Sequence, residues 1–188
     1  KAFEYIYEKS KKYDNILITD EPTQGPYGLK IRELFKKQVT SEDFKDELFE
    51  LFAKDREWHI EEIIKPLLAK DFVILCDRYK YSSIAYQSVQ GTAFEKVFEK
   101  HKDFLKPDLA LIFDVDPKEA VNRINSASDE KRQDSDKFRE LEFITGLRKL
   151  FNDLPKKLLG ENIAIIDANK PIDEVFLQVK EQIDKVLH

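Results

Sequence analysis

Asp77, Arg78 and Tyr79 arrive together at the end of an unbroken apolar run, Phe72-Val73-Ile74-Leu75-Cys76. A short apolar run bounded by charge reads as a strand buried on both faces of a parallel sheet. Open α/β sheets bind ligands just beyond the carboxyl ends of their strands. An arginine there offers a planar fork of donors that suits a phosphate, whereas a surface ion pair is the plainer alternative. Upstream, Phe52 and Arg56 stand four apart in a helical stretch and share a face. An aromatic ring there can stack on a planar base while the arginine donates to its carbonyl. Equally, Phe52 can belong to the core and Arg56 to the surface. Tyr79, Tyr81 and Tyr86 cluster after the apolar run, and Tyr86 either walls a sugar pocket or packs as an ordinary aromatic. Lys131-Arg132 lie among Asp129, Glu130, Asp134 and Asp136. That run reads as a solvated loop, or as a lid that swings an arginine onto a transferring phosphoryl group. His59, His101 and His188 lack ligand spacing and a cysteine partner, so no zinc site is expected. The lone Cys76 reads as a small buried hydrophobe.

The elements that must position these groups alternate between strand and helix. Short apolar strands are expected at 16–19, 72–76, 109–113 and 163–166. Asp20 to Tyr27 is a loop with two prolines and Gly25. Helices are expected at 1–13, 28–37, 81–90, 93–104, 117–125, 138–159 and 172–186. A long one, capped by Ser41-Glu42-Asp43, runs to about Ala69 with a bend near Pro66. Pro117 suits the first position of its helix. Alternation of this kind predicts an α/β fold, a parallel sheet with helices on both faces. No repeat or linker appears, so 1–188 reads as a single domain with a mobile loop at about 126–136.

The chain has 188 residues, 37% charged and 41% hydrophobic, with a net charge of −5. That is ordinary for a globular protein and argues against a general nucleic-acid binder, while leaving room for a local basic pocket. No apolar run is long enough to span a membrane, and a single cysteine fits a reducing, cytoplasmic setting. The sequence contains no methionine and opens in a stretch that already reads as helix. The expectation is that an N-terminal piece precedes Lys1.

Taken in order, Asp20-Glu21-Pro22-Thr23, Leu51-Phe52-Ala53-Lys54-Asp55-Arg56, Asp77-Arg78-Tyr79 through Ala85-Tyr86-Gln87, Pro107-Asp108-Leu109 through Asp114-Val115-Asp116-Pro117, and Ile166-Asp167-Ala168-Asn169 resemble the thymidylate kinase (dTMP kinase) family. The resemblance covers nearly the whole chain. It implies a three-layer fold of the P-loop nucleoside-monophosphate kinase type and transfer of the γ-phosphoryl of ATP to dTMP, giving dTDP and ADP, with Mg²⁺. By motif position, Arg78 would grip the acceptor phosphate, and Asp77 would organise the magnesium waters. Phe52 would stack on thymine, and Arg56 would hydrogen-bond its carbonyl. Tyr86 would pack under the deoxyribose, while Ser83 and Gln87 are candidates for the base edge. The Glu21-Pro22 peptide falls where some relatives carry a cis bond. Arg132 would be the lid arginine, and Ala168 and Asn169 would border the adenine. A homodimer, through helix faces near 41–69 and 81–90, is also implied. The family's opening strand and Gly-rich phosphate loop are not in this sequence, and that strand would be the centre of the sheet. If the molecule truly lacks that loop, ATP turnover should be lost. Two alternatives stand beside this reading: a related nucleoside or nucleoside-monophosphate kinase, and a non-catalytic nucleotide-binding homologue.

Overall fold

The computed structural model describes residues 1–9, 15–36, 45–127 and 134–187. The chain divides into two compact units, residues 3–105 and 106–188. Each is built from parallel strands flanked by helices.

The first unit contains α1 (Ala2–Lys9), β1 (Ile16–Asp20), α2 (Pro26–Lys36), α3 (Lys45–His59), a π-helical turn (Ile60–Ile64), α4 (Lys65–Leu68), β2 (Val73–Asp77), α5 (Lys80–Val89) and α6 (Phe94–His101). β1 and β2 run parallel, with Asp20 opposite Asp77 at their carboxyl ends. β2 was expected to be buried on both faces. Its apolar residues are instead half-buried, because among the described residues its ladder has one neighbour, β1. Ile31, Leu34 and Leu51 form a core cluster between α2 and α3, with Leu48 and Phe52 packed against it. Just before Pro66, where a bend was expected, the helix passes through the π turn. Proline has no N–H to offer its helix and its ring crowds the carbonyl four residues back. Widening the turn at 60–64 relieves both, and Ile60 and Ile64 stay buried. The Ser41-Glu42-Asp43 cap lies outside the described residues.

The second unit contains β3 (Ala110–Asp114), α7 (Pro117–Ala127), α8 (Asp134–Lys157), β4 (Ile163–Asp167) and α9 (Ile172–Val186). β3 and β4 are parallel, in register from Ala110–Ile163 to Asp114–Asp167. Arg148 of α8 grips Asp114 with two bonds, Nε to Oδ1 at 2.6 Å and Nη2 to Oδ2 at 2.9 Å. That fork holds the Asp114 carboxyl below the usual carboxylate range.

Candidate functional site

A cavity of about 330 Å³ opens in the first unit, at the carboxyl ends of β1 and β2. Phe52, Arg56, Arg78, Ser83, Tyr86 and Gln87 all line it, together with Glu21 and Pro22. Of the residues expected to act on an acceptor nucleotide, Asp77 is the one outside this lining. It is exposed at the end of β2, and its carboxylate has no hydrogen bond or ion pair among the described residues. Ala168 and Asn169 belong to the second unit. There the Asn169 amide ties the strand ends together, accepting from the Asp116 N–H at 2.7 Å and donating to Asp167 Oδ1 at 2.8 Å. Arg132 lies outside the described residues, as does most of the 126–136 loop.

The floor of the cavity is a buried polar network, and Arg56 is at its centre. Only 1% of Arg56 is exposed, which overturns the surface alternative for this residue. Its Nε and Nη2 donate to Glu21 Oε2 at 2.9 and 2.6 Å. Nη2 also donates to Ser83 Oγ at 3.0 Å, and Nη1 to His101 Nδ1 at 3.0 Å. The Glu21 carboxylate uses its other oxygen to accept from His59 Nδ1 at 3.1 Å. His59 Nε2 meets the Thr19 hydroxyl at 2.9 Å. The Glu21 N–H is anchored on the Asp77 carbonyl at 3.1 Å, and the Glu21-Pro22 peptide that follows is cis.

The loop after Glu21 is clamped from α3. Buried Asp55 accepts the Thr23 N–H at 2.8 Å and the Thr23 hydroxyl at 2.6 Å, and the Gly25 N–H closes onto Thr23 Oγ1 at 2.9 Å. α2 starts hard against this loop. A Cβ on Gly28 would fall 2.1 Å from the Thr23 carbonyl oxygen, so only glycine fits.

Phe52 is both a core and a site residue. It packs against the Ile31–Leu34–Leu51 cluster and lines the cavity as well. Its ring sits 6.4 Å from that of Phe35, tilted by 47°. Gln87 is buried, and neither its amide oxygen nor its amide nitrogen has a partner among the described residues. One acceptor and one donor are thus left unused on the cavity wall, an uncommon state for a buried amide. Arg78 has φ +66°, the left-handed region that a non-glycine residue enters at a cost of about 1–2 kcal/mol. Its guanidinium lies 5.4 Å over the Tyr86 ring.

Two charged cavity residues were not singled out by the spacing of the sequence. Arg32 lines the cavity and is tied to Asp20 Oδ2 at 2.8 Å and to the Pro22 carbonyl. Lys45 lines it too. Outside the lining, His101 holds Arg56 from behind. Arg32, Lys45, Arg56 and Arg78 face a single lining carboxylate, Glu21, so the cavity favours an anion. Asp55 and His59 were legible in principle. They stand at i+3 and i+7 from Phe52, on the helix face that carries Arg56 at i+4.

Glu21, His59 and Cys76 bring a carboxylate, an imidazole and a thiol within 4.8 Å of one another. These groups are already engaged. Glu21 holds Arg56 and His59, and Cys76 Sγ donates to the Arg78 carbonyl at 3.0 Å. Burial and the nearby Glu21 push the thiol up to about 12, far from the thiolate that a metal needs.

The thymidylate kinase family profile matches residues 2–179. A probable thymidylate kinase of Pyrobaculum calidifontis is 32% identical over 182 residues, covering 97% of this chain and 89% of that protein. The thymidylate kinase of Brachyspira hyodysenteriae is 36% identical over 167 residues, covering 88% and 78%. That of Desulfotalea psychrophila is 33% identical over 177 residues, covering 93% and 84%. A match of this extent, with the cavity built from the same segments that carry the sequence resemblance, is membership: the chain belongs to the thymidylate kinase family.

Proposed function

We propose that this protein is a dTMP kinase, moving the γ-phosphoryl of ATP onto the 5′-phosphate of dTMP to give dTDP and ADP. One observation carries the reading above the others. The cationic cavity that holds Arg78 and Arg32 also holds the Phe52 ring and a Gln87 amide with both atoms unused. A thymine edge pairs an N–H donor with carbonyl acceptors, which is what a free Gln87 amide and an Arg56 N–H can satisfy. Phe52 stacks on the base, Tyr86 packs under the deoxyribose, and Ser83 steadies Arg56 at the base edge. Glu21 and Pro22 shape the turn beside the acceptor, and Arg78 grips its phosphate. Catalysis of this kind is positioning and charge neutralisation, with little covalent work for the protein.

Asp77 suits the Mg²⁺ that accompanies ATP: its exposed carboxylate is unengaged among the described residues, and oxygen donors reaching through water match that ion. Bound there, magnesium neutralises phosphate charge. Arg132 is assigned to the lid at about 126–136, and Ala168 and Asn169 to the adenine side. In the same reading residues 1–188 act as one kinase domain, in a cytoplasmic homodimer. Among the described residues, no helix is long and apolar enough to cross a membrane, and light scattering on the purified protein tests the dimer.

A coupled ADP-release assay on full-length protein, with dTMP, dUMP, dCMP and thymidine as acceptors, decides the matter. The expected result is turnover with dTMP well above that with thymidine, because the two arginines reward an acceptor that already bears a phosphate. Turnover with thymidine equal to that with dTMP would favour a nucleoside kinase. No ADP release with any acceptor would favour a non-catalytic homologue.

A further inference from the structure

His101 ends α6 and is wholly buried, at 0% exposure. It lies against Arg56, with Nδ1 and Nη1 3.0 Å apart. A guanidinium can only donate, so Nδ1 accepts and a neutral ring must carry its proton on Nε2. Burial and the Arg56 charge push the ring down to about 3, which keeps it neutral. Nε2 is buried without a partner among the described residues. An orphaned buried donor is destabilising and rare, so a plain hydrocarbon would pack here at less cost if packing were the whole role.

The donors of Arg56 account for the rest. A guanidinium has five N–H groups. Glu21 takes two, Ser83 one and His101 one. A single Nη1 hydrogen remains without a partner among the described residues. The Tyr79 and Phe104 rings lie 5.2 and 5.9 Å from the guanidinium carbon and limit its rotation.

We propose that His101 is a positioning residue that acts through Arg56. By accepting one Nη1 proton it reduces a two-pronged fork to one directed donor, matched to a lone carbonyl oxygen. It thereby sets the choice between a 4-oxo and a 4-amino pyrimidine nucleotide. The identity of the ligand rests on the function proposed above; the His101–Arg56 contact does not.

The test uses His101→Phe, which removes the acceptor, and His101→Asn, which keeps one near the Nδ1 position. Calorimetric titration of the full chain with dTMP and dCMP is run beside a melting curve for each variant. For His101→Phe the expected dTMP Kd rises about tenfold and the dTMP preference over dCMP falls about tenfold, as loss of one directed hydrogen bond implies. His101→Asn restores most of the preference. Melting temperatures that fall alike in both variants, with the preference unchanged, would overturn the proposal. If His101→Phe fails to fold, the wild-type ring decides. Nitrogen-15 NMR should find Nδ1 bare and Nε2 protonated at neutral pH, and a proton on Nδ1 refutes the contact. If the wild-type chain binds neither nucleotide, the pyrimidine reading falls, and the same spectrum still tells whether His101 holds Arg56.

Discussion

Replacing Glu21 by Gln should cost this protein more stability than almost any other single change of one atom type. Both partners of the Glu21–Arg56 pair are nearly out of water, with side-chain exposures of 3% and 2%. One carboxylate oxygen accepts both Arg56 bonds, and the other accepts from His59. Gln keeps only one acceptor oxygen. Turned one way, its N–H₂ faces the Arg56 donors; turned the other, it meets His59 Nδ1, which must switch tautomer to accept it. In either case the Arg56 charge is left buried without a counterion. Breaking a buried pair by removing one partner costs about 3–5 kcal/mol, against a total of about 5–15 kcal/mol for a typical domain. For a chain of this size that is a loss of roughly 6–20 °C in melting temperature. Urea unfolding followed by circular dichroism measures it. The double variant Glu21→Gln/Arg56→Met should recover more than half of the loss, since it removes the stranded charge as well. A single-variant loss under about 1 kcal/mol, or a double variant no better than the single, refutes the claim that this pair is electrostatically coupled.

Three further predictions are independent of that one. Arg78→Gly should be about 1 kcal/mol more stable than Arg78→Ala, since only glycine relieves φ +66°. Both should lose dTMP phosphorylation, and equal urea midpoints would deny the strain. The Cys76 thiol, raised to about 12, should react with iodoacetamide at pH 8 at least about 100-fold more slowly in the folded than in the unfolded chain; rates within a factor of about ten would contradict its burial. His101 titrates near 3 when folded and near 6.5 when unfolded. Between those values the unfolded chain binds the extra proton, so stability should rise with pH by up to about 1.4 kcal/mol per unit and level off above that window. His101→Phe should flatten that slope in urea midpoints taken from pH 4 to 7, and an unchanged slope would assign it to other groups.

The strand ends were legible because period and punctuation carry them. Val73–Asp77 and Ala110–Asp114 each begin and end within a residue of where the apolar run and its closing acid put them. α9 matches its foreseen span, fixed by Val175, Val179, Ile183 and Val186 on one face. The polar floor of the cavity was harder to read. Asp55, Arg56 and His59 are charged or polar types on a helix, and such residues ordinarily face water. Only tertiary partners from elsewhere, Thr23, Glu21 and His101, make their burial possible, and a single sequence does not display those partners. Arg32 escaped notice for a similar reason. Nothing local distinguishes it from the solvated lysines and glutamates around it, and its place on the cavity comes from the docking of α2 against the loop at 21–25.

The π turn at Ile60–Ile64 has a bearing on how this stretch tolerates change. An extra residue in a helix swings everything beyond it by about 100°. Phe52 and Arg56 line the ligand cavity from one side of that joint, with Asp55 and His59 bracing the loop beneath it, while Leu67 and its neighbours lead on toward β2 from the other. The joint therefore uncouples two sets of demands along one nearly continuous rod. Excising one residue within it would restore an ordinary helix locally, yet would rotate the approach to β2 and misalign the strand whose end carries Asp77 and Arg78.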